Sequence, residues 1–115
     1  MDVSRIQQEL EKFARERDWN QFHSPKNLAT ALSVEASELL EHFQWLTAEQ
    51  SEQLDQATLE AISSEIADVQ IYLLRLADKL GIDIESAVEA KMQENRQKYP
   101  ADRVRGSAAK YTEYE

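Results

Sequence analysis

The chain has 115 residues, 42% hydrophobic and 30% charged, with 22 acidic against 13 basic side chains and a formal net charge of -9. That length suits one domain over 1–115 with an adequate core, and the absence of cysteine excludes disulfides, a thiolate nucleophile and a zinc–cysteine site, with a reducing cytoplasm as the default compartment. The acidic balance argues against a nucleic-acid surface, which needs fields of Lys and Arg, and the sequence has neither a signal-peptide pattern nor a run approaching the roughly 18 apolar residues of a membrane span.

Two glycines and two prolines stand where a helical protein wants punctuation, and no segment alternates as a strand would. The expected class is therefore all-α. Helix one is expected over about Val3 to Arg17, with Ile6, Leu10 and Phe13 on one face, and the loop Asp18-Trp19-Asn20-Gln21-Phe22-His23 follows it. Ser24 before Pro25 gives a capping hydroxyl and then a residue preset for the first helical turn, so a second helix is expected to run to about Leu46. A polar connection covers Thr47 to Gln56.

The third helix carries Leu59, Ile62, Ile66, Val69, Leu73, Leu76 and Leu80 at spacings of three and four, with Ile71 and Leu74 on the opposite side. A helix apolar on two faces is buried on two faces, which in so short a chain predicts a subunit interface and a homo-oligomer. Gly81 supplies the C-terminal stop. Asp83 caps a fourth helix, carrying Ile84, Ala87, Val88 and Met92 to about Tyr99, and Pro100 ends it. Residues 101–115 are expected as an extended arm that orders on a partner surface. The architecture expected is a four-helix bundle-like subunit with an extended C-terminal arm.

Four acids carry most of the chemical information. Glu35 lies three residues before Glu38 on helix two, and Glu65 three before Asp68 on helix three, so each pair occupies one side of its helix about a turn apart. At about 100° per residue, Glu35 falls in the middle of the stripe formed by Leu28, Ala31, Leu32, Leu39, Phe43 and Leu46. An unpaired carboxylate buried there is costly, and two such pairs on neighbouring helices call for a divalent cation. Every donor is a hard oxygen, which favours Mg²⁺ or Mn²⁺ over zinc. For Glu41, Glu49, Glu52 and Glu60 the reading is the plain one, acids on solvated faces. A di-iron carboxylate bundle would need Glu-x-x-His motifs, and the chain has none. His42 shares the side of helix two that bears Glu35, as a partner of the acids or as an ordinary histidine.

Trp19, Phe22 and His23 share one short loop, Trp45 lies at the end of helix two, and Tyr72 follows Asp68 by about a turn. Aromatic side chains with polar tips can stack on a base and read its edge; Trp19 and Phe22 would equally serve to plug the top of the core. Lys91, Asn95 and Lys98 share a face of helix four, suited to phosphate oxygens or simply to solvent.

The run from Arg17 to Pro25, then Leu32 to Leu39 with Phe43-Gln44-Trp45, then Glu65-Ile66-Ala67-Asp68-Val69, resembles the MazG-like nucleotide pyrophosphohydrolases of the all-α NTP pyrophosphatase superfamily. Lys91-Met92, Asn95-Arg96, Tyr99-Pro100 and Lys110-Tyr111-Thr112 look most similar to its dCTP pyrophosphatase branch. The resemblance implies hydrolysis of a nucleoside triphosphate to the monophosphate and pyrophosphate, with Mg²⁺ held by Glu35, Glu38, Glu65 and Asp68. It further implies a base pocket using Trp19, the loop with Phe22 and His23, and Trp45, with Tyr72 near the nucleotide, Lys91 and Asn95 toward the phosphates, and a helical homotetramer. Glu38, with Glu35 beside it, is the expected group to orient or deprotonate the attacking water. One departure concerns Leu10, which stands where some dCTP-preferring relatives place a pocket histidine. The competing reading is a non-enzymatic helical interaction module with a metal-stabilised core.

Overall fold

A computed structural model describes residues 1–108, and among them six α-helices and one 3₁₀ turn follow one another without a strand. They are α1 (Val3–Glu16), the turn Asn20–Phe22, α2 (Pro25–Glu41), α3 (Ala48–Ser51), α4 (Gln56–Lys79), α5 (Ile84–Lys98) and α6 (Ala101–Val104). The starts are set locally. Asp2, Ser24, Thr47, Asp55 and Asp83 each accept the backbone N–H three residues on, which satisfies one of the donors every helix leaves free. At Asp55 the bonds from Thr58 hold the carboxyl below its ordinary pKa.

The stops are equally local. Gly81 follows α4 at φ +67, the left-handed conformation that glycine adopts without penalty. At the end of α1 the same position is filled by Asp18, at φ +53. The Trp19 N–H returns to the Ala14 carbonyl at 2.8 Å and the Asp18 N–H to Arg15 at 3.2 Å, the paired closure of a Schellman motif. Gln21 Nε2 donates to the Asp18 carbonyl at 2.9 Å and to its carboxylate at 3.1 Å, so this turn is tied and Trp19 and Asn20 leave α1 in a fixed direction.

By its internal contacts the chain divides into two compact units, Met1–Gly81 and a second that begins at Ile82. In the first unit α2 lies along α4 as the principal helix pair, and α1 packs on α4 as well. The buried apolar residues are Ala14 from α1, Leu28 from α2, and Ile62, Leu74 and Ala77 from α4. Of the two apolar faces expected on this helix, the chain itself covers the one that bears Leu74, 1% exposed, while Ile66, inside the longer stripe, is 54% exposed.

Three boundaries also differ. α2 ends at Glu41 rather than near Leu46, because the N–H groups of His42, Phe43 and Leu46 turn to carbonyls three residues back instead of four, tightening the chain out of the α-helix. The polar connection holds a four-residue helix, α3, which closes a capping box between Thr47 and Gln50. The segment expected to be wholly extended after Pro100 begins with the single turn α6, and residues 109–115 lie outside the described residues. In the second unit Glu94 pairs with Lys98 at 2.7 Å and Lys91 at 3.4 Å, one and then the other holding its carboxyl below the ordinary range.

Truncating Leu28 or Leu74 to alanine, each 1% exposed, is expected to lower the unfolding free energy by about 2–5 kcal/mol. Ser24→Ala, which removes a cap, is expected to cost about 1 kcal/mol. Urea titrations of the three variants check the ranking.

Candidate functional site

The packing of α2 on α4 brings together acids distant in sequence. One carboxylate oxygen from each of Glu35, Glu38 and Glu65 lies within 4.8 Å of the others. All three side chains are half-buried. Asp68, a turn further along α4 and also half-buried, lies outside that group of three, and His42 does not join it but forms the C-cap of α2. Two oxygens, Glu35 Oε2 and Glu65 Oε2, are buried without a hydrogen-bond partner. Buried carboxylate oxygens are ordinarily satisfied, so this pair is an orphaned acceptor set aimed at a donor or cation.

The electrostatics point the same way. The Glu35 carboxyl is pushed up to about 7, first by hydrogen bonding with Glu65, then by burial, then by hydrogen bonding with Glu38 and the negative charges of both neighbours. Such crowding makes one acid keep a proton that a cation would displace. The donor set fits a hard divalent ion: oxygen only, from two helices, with room in the group for one positive charge to serve three carboxylates.

Further along α4, seven residues take the chain from Glu65 to Tyr72, about two turns and about 10 Å of helix, so the two share nearly one face. There a cavity of about 380 Å³ opens, lined by Glu9, Leu10, Phe13, Trp19, His23, Ile71, Tyr72 and Arg75. Trp19 meets the Phe13 ring edge-on at 5.6 Å and the His23 ring at 6.4 Å, and the Arg17 guanidinium covers Phe13 at 3.6 Å. The walls are therefore flat and apolar. Leu10, the departure noted in the sequence, is one of the lining residues.

Arg75, 3% exposed, forms the polar side of the cavity. It donates Nη1 to Glu11, Nη2 to Asn20 Oδ1 and, at 3.2 Å, Nε to His23 Nδ1. Asn20 Nδ2 in turn donates to Glu11 at 3.1 Å, and Asp78 stands 4.0 Å from Nη1. Arg75 holds the Glu11 carboxyl below its ordinary pKa, the Asn20 bond helping and burial opposing. Burial, then the charges of Arg75 and Lys79, lower the His23 pKa against a pull from Glu11. The sequence reading missed Arg75, although a single guanidinium inside Tyr72-Leu73-Leu74-Arg75-Leu76-Ala77 is a signal that it is buried and paired.

Of the remaining expected residues, Trp19, His23 and Tyr72 line the cavity, whereas Phe22 and Trp45 do not, Trp45 being 87% exposed. Lys91 and Asn95 lie on α5 in the second unit, both exposed.

A sequence profile described as the MazG-like family matches residues 30–114, running through both units. The chain belongs to the MazG-like family. Across 97% of its length it is 47% identical to dCTP pyrophosphatase 1 of Rattus norvegicus and 45% identical to that of Homo sapiens. It spans 65% of the length of those curated relatives. A crystal structure of a pyrophosphatase from Archaeoglobus fulgidus superposes with a TM-score of 0.75 at 40% identity, over 87% of this chain and 94% of that one. The MazG-like chain thus has the all-α pyrophosphatase fold, and among its described residues no helix is long and apolar enough to cross a membrane.

With divalent ions removed, the raised Glu35 pKa makes folding stability depend on pH. Between about 4.5 and about 7 the folded chain keeps a proton that the unfolded chain has released, so this contribution to stability is complete below about 4.5 and fades as pH rises to about 7. Thermal unfolding in EDTA is expected to show that decline. Glu35→Gln is expected to flatten it and to unfold at a higher temperature than the parent chain above pH 7.

Proposed function

We propose that this MazG-like chain hydrolyses a nucleoside triphosphate to the monophosphate and pyrophosphate, with Mg²⁺ as the usual ion and Mn²⁺ as a substitute, and that dCTP or a modified cytidine nucleotide is the preferred substrate. The observation that carries this reading is the carboxylate trio with its two orphaned oxygens, set about two helical turns from an aromatic cavity on the same helix. One end suits phosphate held through a cation, and the other suits a base. Four relatives bearing the name dCTP pyrophosphatase 1 support the choice of cytosine.

Glu35, Glu38 and Glu65 would hold the ion, with Asp68 completing the set from the next turn of α4. When bound, the ion supplies charge neutralisation on the phosphate chain and makes a nearby water more acidic. The chain's own work is positional. Trp19 and Tyr72 hold the base between flat walls, His23 meets its edge, and Trp45 and Phe22 extend the aromatic surface. Glu38 orients a water for attack on the phosphate chain and accepts its proton as the phosphoanhydride bond breaks, the electron pair leaving with pyrophosphate. The working unit is one domain over 1–115 in a cytoplasmic homotetramer, a reading supported by the exposed aliphatic residues of α4 such as Ile66 and Leu59.

Pyrophosphate release from a panel of natural and modified dNTPs tests this directly. Activity is expected with Mg²⁺, loss in EDTA, and a preference among bases. Glu38→Gln is expected to lower kcat by about 10²-fold or more, the scale of a lost general base. Sustained turnover in that variant would remove Glu38 from its role, and a flat base profile would count against the aromatic cavity as the base site.

A further inference from the structure

The Arg75 side of the cavity holds an arrangement that the hydrolysis itself does not require. Each of the three guanidinium nitrogens is committed as a donor, to Glu11, Asn20 and His23. A guanidinium has no lone pair to offer and does not deprotonate in proteins. The imidazole nitrogen it faces, His23 Nδ1 at 3.2 Å, must therefore be the one without a proton, which leaves the ring's single hydrogen on Nε2. Nε2 has no partner among the described residues, while His23 lines the cavity together with Trp19 and Tyr72.

We propose that Arg75 is a positioning residue that locks His23 as the Nε2–H tautomer, so that the cavity offers one fixed donor to a pyrimidine and favours an unprotonated N3, as in cytosine, over the N3–H of uracil or thymine. The neutral state this requires is the one that burial and the charges of Arg75 and Lys79 favour. An imidazole free to exchange tautomers would meet either edge equally. Held by a group that can only donate, it opposes an N3–H with a second N–H, and both are left unpaired. The specificity half rests on the reading of the cavity as the base site; the tautomer half does not.

Because the chain contains two histidines, a sample labelled with ¹⁵N-histidine gives two imidazole patterns, and His23→Gln assigns them. The His23 pattern without nucleotide is expected to show a protonated Nε2 and a lone-pair Nδ1 near neutral pH. In Arg75→Lys, which keeps the charge but not the fork, it is expected to average between tautomers. In the same variant the ratio of KM for dUTP to KM for dCTP is expected to fall roughly three- to tenfold, the size of one hydrogen bond, with kcat for dCTP nearly unchanged. His23→Gln, whose amide can turn either a donor or an acceptor to the base, is expected to relax that ratio too and serves if Arg75→Lys does not fold. A proton on Nδ1, or averaged tautomers in the parent chain, would overturn the lock whatever the substrate. A locked imidazole with an unchanged KM ratio in both variants overturns the specificity role. A locked imidazole in a chain that hydrolyses no triphosphate overturns the base-site reading and leaves the lock standing.

Discussion

Repulsion among three carboxylates at the contact between α2 and α4 is the constraint around which the first unit is arranged. Like charges crowded where water is partly excluded cannot all ionise freely, and Glu35 responds by keeping its proton up to about 7. The helices are held together regardless by apolar side chains flanking the acids: Leu28 lies seven residues before Glu35, and Ile62 three before Glu65, both buried. Apolar residues at the position of the trio would strengthen the same contact. A fold that keeps acids there gives up stability at that point, as functional sites do.

α4 carries two polar clusters of opposite character. At Glu65 it presents a buried oxygen, Oε2, that has no hydrogen-bond partner. Ten residues later, Arg75 is as deeply buried as the core but engaged, each of its three nitrogens donating to an acceptor from α1 or the loop after it. The difference decides what each can do. A satisfied network is rigid and orients its neighbours, so it suits recognition of a shape and a hydrogen-bonding edge. An unsatisfied one is incomplete without a ligand, and its acceptors suit a cation.

How much of this was legible in the sequence depends on the distance over which each feature is decided. Ser24-Pro25, Asp83 and Gly81 act within a turn of themselves, and the helix ends they announce are where they were expected. The pairing of Glu35 with Glu38 needs only helical spacing, and their meeting with Glu65 needs only that α2 and α4 be neighbours. Features that hang on the angle of packing were not legible. Periodicity marks two apolar faces on α4 but not which of them the chain itself covers: Leu74, opposite the main stripe, is buried, and Ile66 within that stripe is exposed. Nothing local distinguishes the α-helical residue Glu41 from His42, where the winding tightens. Arg75 was visible as an anomaly inside an apolar run, but its partners Glu11, Asn20 and His23 lie 52 to 64 residues away, and no spacing rule reaches that far.

The small core ties the two properties of the site together. Only five apolar residues are buried among those described, while α4 leaves Leu59, Ile66, Ile71 and Leu73 partly open. Against so modest a core, crowded charge between α2 and α4 is a large opposing influence. A cation bound by the folded trio and not by the unfolded chain adds its binding free energy to folding, and it does so at the helix contact where repulsion acts. On the proposed reading Glu35 would set the terms of that exchange, since its proton would have to leave for an ion to enter. The same crowding that costs the fold stability would then ready the acids for an ion, and removing one acid to steady the fold would remove a proposed ligand with it.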